Sequence, residues 1–200
     1  VTSLEYQKSR PGAHTIIDYD RTGKTAICLF DKNAGNGIDL TNQDDIEQTL
    51  VHEFSHIMAY VLDKSKTEDV TETIEGRKFS NGEKVKDGIL YGGISTWESN
   101  GQSHNQIDEG FTEYITRLIL NKRNKQPLDS TRYETAVKVA EILFTSKGIH
   151  KMISQYFSNP RIVIEELYNT EIEGKEALHF LSDLVNKDVN FYDYSVGYMT

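Results

Sequence analysis

Cysteine is nearly missing from this chain of 200 residues, and with Cys28 alone no disulfide can form within it. The apolar neighbours Ala26, Ile27, Leu29 and Phe30 suggest a thiol buried in a strand, acting as a small hydrophobe and not as a nucleophile. The redox compartment is therefore left open. Long apolar runs are missing too. None approaches the roughly 20 residues that cross a bilayer, so no membrane span is expected. No signal-peptide pattern is visible, and a start at Val1 in place of Met is expected of a processed product or an excised segment. Basic residues are scarce: 22 Lys and Arg against 31 Asp and Glu leave a net charge of −9. Binding to phosphates needs clustered cations that displace counterions, so nucleic acid is not an expected partner. The longest basic run, Lys122-Arg123-Asn124-Lys125, fits a helix C-terminus, where cations complement the helix dipole.

An apolar fraction of 37% with 26% charged residues is that of an ordinary globular protein. One domain over residues 1–200 is expected, with two lobes divided near residue 105, because a site that admits a polymer needs a cleft with two walls. Residues 14–19 and 24–30 are β-branched and aromatic runs separated by the turn-like Asp20-Arg21-Thr22-Gly23, which predicts a hairpin. Residues 31–37 read as a loop, 64–88 as loops with a small hairpin, and 89–95 as a further strand. Residues 107–122 read as a helix with Phe111, Tyr114, Ile115 and Leu118 facing the core. The remainder reads as wholly helical: Thr131 and Glu134 form a capping-box pattern before residues 136–144, Gly148 and Pro160 punctuate the chain, and a last helix is expected over about 173–185.

From about Asn42 the periodicity is helical. Asn42 is a good N-cap, and Asp44, Asp45 and Glu47 place negative charge in the first turn. Ile46, Leu50, Phe54, Ile57, Met58 and Val61 recur at three- and four-residue steps and predict the buried stripe. That stripe avoids His52, Glu53 and His56 of the motif His52-Glu53-Phe54-Ser55-His56, so the helix is expected to pack through one side and expose chemistry on the other. Residues i and i+4 lie one turn apart, which lets both imidazoles reach one metal ion while Glu53 acts on a metal-bound water. Chance alone supplies this spacing in roughly one chain in a hundred of this size, so a second ligand-bearing segment matters.

That segment is Asn105-Gln106-Ile107-Asp108-Glu109-Gly110-Phe111-Thr112-Glu113-Tyr114, about fifty residues after His56. An HExxH helix followed by an acidic Glu-Gly-Phe-Thr-Glu helix resembles the gluzincin group of zinc metallopeptidases. The resemblance covers the middle third of the chain and implies an α+β, zincin-like fold: a small N-terminal sheet packed on the HExxH helix, then a mainly helical C-terminal lobe. It implies one catalytic zinc ion held by His52, His56 and Glu109, with Glu113 supporting a ligating histidine and Asp108 competing for the ligand role. The interval between the motifs is longer than in aminopeptidase-like members, and no third histidine follows His56 as it does in metzincins.

The resemblance further implies hydrolysis of peptide or protein substrates, with Glu53 taking the proton of the metal-bound water and passing it to the leaving amine. Tyr91, in the Gly-flanked Leu90-Tyr91-Gly92-Gly93, and His104 are the candidate oxyanion donors. His14, His150 and His179 read as ordinary surface or packed histidines. Residues 24–30 are a candidate sheet edge for an extended peptide. Secretion is implied by analogy. The rival readings are a narrow toxin or regulatory peptidase, a peptidase-like binding domain without activity, and a two-histidine, one-carboxylate iron site.

Overall fold

The structure is a computed structural model and describes residues 13–18, 24–29, 38–66, 70–74, 77–85, 88–94, 97–99, 102–103, 105–127, 133–172 and 175–176. Strands β1 (Ala13–Asp18) and β2 (Lys24–Leu29) pair antiparallel in the expected hairpin, with His14 opposite Cys28. The first helix, α1, runs over Gln43–Ala59 and carries the His52-x-x-x-His56 motif. Its start is set by Asn42, whose Oδ1 accepts from the backbone N–H of Asp44 at 3.0 Å and of Asp45 at 3.4 Å. Its end passes without a loop into β3 (Tyr60–Asp63).

Eight further strands follow in short antiparallel pieces: β4 (Val70–Ile74), β5 (Arg77–Asn81), β6 (Glu83–Val85), β7 (Gly88–Gly92), β8 (Trp97–Ser99), β9 (Gln102–Ser103) and, near the C-terminal end of the described residues, β10 (Glu171–Ile172) and β11 (Lys175–Glu176). Among the described residues they make four small groups, β1-β2, β3-β7-β6, β4-β5-β8-β9 and β10-β11, where a single N-terminal sheet was expected. The β10-β11 pairing also corrects the last expected helix, because Lys175 and Glu176 are extended. Gly174 weakens the helical pattern there, and residues 177–185 lie outside the described residues, as does Thr131 of the expected capping box.

The helical lobe is present as expected. It comprises α2 (Asn105–Lys122), α3 (Glu134–Lys147), α4 (Ile149–Ser158) and α5 (Pro160–Tyr168), with Gly148 between α3 and α4 and Pro160 at the first position of α5. Their shared core contains Phe111, Ile115, Phe144, Met152, Tyr156 and Ile164. Phe111 meets Phe144 edge-on with ring centroids 5.4 Å apart. Gly110 sets the approach of α2 to α3: a Cβ there would lie 2.2 Å from that of Ala136, so only hydrogen lets the helices come this close. The basic run ends α2, and Arg123 and Lys125 reach back to the acidic first turn of α1, where Arg123 Nη1 lies 2.5 Å from Glu47 Oε1 and Lys125 Nζ lies 3.0 Å from Asp44 Oδ1.

The apolar stripe expected on α1 is not the buried face. Phe54 and Met58 are 55% and 64% exposed, Val61 belongs to β3, and the buried residues are Gln48, Glu53, Ser55 and Ala59. The physical reason is that α1 turns its polar side towards α2, where Gln48 donates to Glu113, and the Ser55 hydroxyl is satisfied by the Val51 carbonyl of α1 itself, so that these buried polar groups are paired. No described helix is long and apolar enough to cross a membrane.

Candidate metal centre

His52 and His56 project from the second half of α1, and Asp108, Glu109, Thr112 and Glu113 from the first three turns of α2. The facing helices bring Nε2 of His52, Nε2 of His56 and Oε2 of Glu109 together, with separations of 3.2 Å between the two nitrogens, 3.1 Å from His52 to Glu109 and 3.5 Å from His56 to Glu109. These three residues form a group that could hold a metal ion. Two donors at roughly 2.0–2.1 Å from a tetrahedral centre stand roughly 3.3 Å apart, so the donor set fits such an ion in spacing as well as in type.

The far nitrogen of each ring is held by a different carboxylate. Nδ1 of His52 donates to Glu113 Oε2 at 3.1 Å. Glu113 is buried, and its other oxygen accepts from Arg117 Nε at 3.0 Å and from Gln48 Nε2 at 3.3 Å. Nδ1 of His56 faces Asp108 Oδ2 at 3.5 Å and Thr112 Oγ1 at 3.4 Å. Asp108 therefore lies outside the group of three and faces the far side of the His56 ring. Its Oδ1 accepts from the backbone N–H of Ile94 at 2.9 Å and from the Tyr156 hydroxyl at 2.8 Å. With Nδ1–H committed in both rings, the Nε2 atoms and the Glu109 carboxylate converge on one point.

Such a cluster attracts positive charge. Burial opposes a charge on His52, but hydrogen bonds to Glu109 and Glu113 outweigh it and raise its pKa to about 9. His56 is likewise opposed by burial and raised to about 10 by Asp108 and Glu109. Burial would raise the carboxyl of Glu109, yet the two histidines hold it far below the usual carboxylate range, which is the same ion pair seen from its other end. Burial, then the charge of Asp108, pushes the Tyr156 hydroxyl well up, so it stays protonated and donates.

The chain path explains why Ile94 arrives here. β3 pairs with β7 in the register Tyr60 to Gly92 and Val61 to Tyr91, and Gly93 N–H donates to Ala59 O at 3.1 Å. The last residue of α1 thus fastens the turn that follows β7. Gly93 has φ +51, and a Cβ on it would lie 2.5 Å from Asp108 Oδ1. Glycine is required there both by backbone conformation and by the carboxylate pressed against it.

Of the residues expected in the site, His52, His56 and Glu109 meet, and Glu113 holds His52. Glu53 is buried on α1, beside His52 in sequence and one turn before His56. The backbone of Tyr91 pairs with Val61, and its side chain lies outside what is described; His104 and His179 lie outside the described residues altogether. His150 is exposed on α4. Sequence reasoning missed Gln48, Thr112, Arg117 and Tyr156. Thr112 and Arg117 lie within or one turn beyond the acidic motif and were findable by helical spacing, whereas Tyr156 sits with Met152 on the buried face of an amphipathic helix, with no local sign of a polar role.

Comparison with family models, with curated proteins and with solved structures finds no match. What the structure itself provides is a His52-x-x-x-His56 helix whose imidazoles, with Glu109 of α2, make a group able to hold a metal ion.

Proposed function

We propose that the chain is a zinc-dependent peptidase of the gluzincin type, an α+β, zincin-like domain in which the helical lobe supplies the third ligand. One observation carries the reading: two imidazole nitrogens and one carboxylate oxygen, 3.1–3.5 Å apart, converge while each imidazole is oriented by its own buried carboxylate. Two nitrogens and one oxygen are the donor set of catalytic zinc sites with an open fourth position. Glu109 is the most exposed of the three, at 31% of its side chain against 14% for each histidine, so the centre is approached from solvent past that residue.

In such sites zinc lowers the pKa of bound water to about 7 and polarises a carbonyl. Glu53 accepts the proton of the attacking water on its carboxylate and delivers it to the departing amine nitrogen, so that one water and one peptide bond yield one acid and one amine. Glu113 and Asp108 keep the imidazoles fixed during this exchange. Tyr91 and His104 remain the proposed oxyanion donors, and an extended substrate would pair along the outer edge of β2. Metal analysis of the purified protein beside Glu109→Ala and Glu53→Gln, with cleavage of a peptide library in the same samples, tests the reading. One zinc per chain, lost in Glu109→Ala and kept without cutting in Glu53→Gln, supports it. A chain that takes up no zinc, or Glu53→Gln cutting as well as wild type, overturns it.

A further inference from the structure

We propose that Tyr156 is a positioning residue for the metal centre, acting through Asp108 and Thr112 on His56. The inference rests on the metal-centre reading for its effect on affinity, but its geometry stands alone. Tyr156, Thr112 and Asp108 are 0%, 0% and 3% exposed, so no water competes for their hydrogen bonds. Their protons can be assigned one by one. The Tyr156 hydroxyl donates to Asp108 Oδ1 at 2.8 Å. Its single proton is then used, so in the 2.8 Å contact with Thr112 the threonine hydroxyl is the donor. Thr112 Oγ1, its own proton spent, can only accept at its 3.4 Å contact with His56 Nδ1. Asp108 Oδ2 likewise accepts from that nitrogen.

Every arrow therefore ends on His56 Nδ1–H, so Nε2 is the ring nitrogen that faces Glu109 and His52 and the one whose lone pair becomes available when its proton leaves. The phenol also links lobes: it belongs to α4, while the other donor to Asp108, Ile94 N–H, comes from the turn after β7. His52 has no such arrangement. Its carboxylate, Glu113, is held by the cation Arg117 one turn further along α2 and by the Gln48 amide of α1, the helix that carries His52 itself. The two histidines are thus oriented by different means, one by a carboxylate held within the α1–α2 pair and the other by a carboxylate held by a neutral hydroxyl from a third helix. Docking of α4 is what gives His56 its direction.

The test is Tyr156→Phe, which keeps the ring and removes only the hydroxyl. Zinc affinity would be measured by competition with a chromophoric chelator. The Nδ1–H signals of His52 and His56 would be followed by proton NMR with and without zinc, using the full chain. The expected result is a zinc dissociation constant raised at least about 10-fold, with faster solvent exchange at His56 Nδ1–H and no change at His52. Thr112→Val, which cuts the direct arm while leaving the Tyr156–Asp108 bond, gives the same readout should Tyr156→Phe fail to fold; Thr112→Ser is expected to restore wild-type behaviour. A dissociation constant within about twofold of wild type with unaltered His56 exchange overturns the proposal, as does an equal change at both histidines, which would mark a packing defect. If the wild-type chain takes up no zinc, the metal reading fails, and His56 exchange in the metal-free variants still decides the relay.

Discussion

At the scale of single residues, the acidic motif is denser than a ligand and its support. Asp108 orients His56, Glu109 joins the metal group, Gly110 lets α3 approach, Phe111 fills the core, Thr112 accepts at His56 and Glu113 orients His52. If the chain is the zinc peptidase proposed above, Glu53→Gln is expected to lower peptide cleavage at least about 100-fold with zinc content unchanged, because it would remove proton transfer and leave the three metal-group residues alone; turnover and metal content measured on one sample check this. Gly93→Ala is expected to destabilise the fold by about 1–3 kcal/mol, since it adds left-handed backbone strain at φ +51 and presses a methyl on Asp108. Urea unfolding measures the first effect, and looser zinc binding would report the second.

At the scale of elements, α1 shows that amphipathicity can point the wrong way. Its apolar residues Phe54 and Met58 are exposed while Glu53 and Gln48 are buried, and for Gln48 the cause is visible, because α2 offers its amide the carboxylate of Glu113. Phe54→Ser is accordingly expected to change stability by no more than about 0.5 kcal/mol, as at other exposed positions. A buried phenylalanine would lose about 3–5 kcal/mol on truncation, so chemical denaturation separates the two. The contact of α2 with α3 is the opposite case. Gly110→Ala must push Ala136 aside and is expected to cost about 1–3 kcal/mol while shifting Glu109 and Glu113, which lie on either side of it.

At the scale of the whole molecule, the centre ties the N-terminal half to the helical lobe, so its charge state should be readable in global stability. In metal-free protein His52 and His56 are raised from 6.5 to about 9 and about 10. The folded chain then binds more protons than the unfolded chain above pH 6.5. This contribution is complete below 6.5 and is lost as pH rises through about 9 to about 10. Glu109 is shifted down, so its share of the same ion pair is present above about 4.5 and lost in stronger acid. Thermal melts of chelated protein are expected to fall across the alkaline window. On the proposed metal reading, zinc would displace those protons, so at pH 7 to 8 its binding should release protons, seen calorimetrically in buffers of different ionisation enthalpy. At 100 times its dissociation constant it should stabilise the fold by about 2.7 kcal/mol.

Much of this was legible in the chain itself wherever the cause is local. The cap at Asn42, the i, i+4 histidines, the span of α2 and the hairpin of β1 and β2 follow from neighbours a few residues apart, and so do the residue types able to hold a metal. Which face of α1 is buried was decided elsewhere, because burial depends on what packs opposite, and the polar partners of Gln48 and His52 lie 61 to 65 residues away. The role of Asp108 and the presence of Tyr156 belong to the tertiary structure alone, since a hydroxyl 48 residues from its carboxylate has no periodic signature. Spacing along one helix determines what chemistry is available, and the docking of helices determines which nitrogen of each ring is left free to use it.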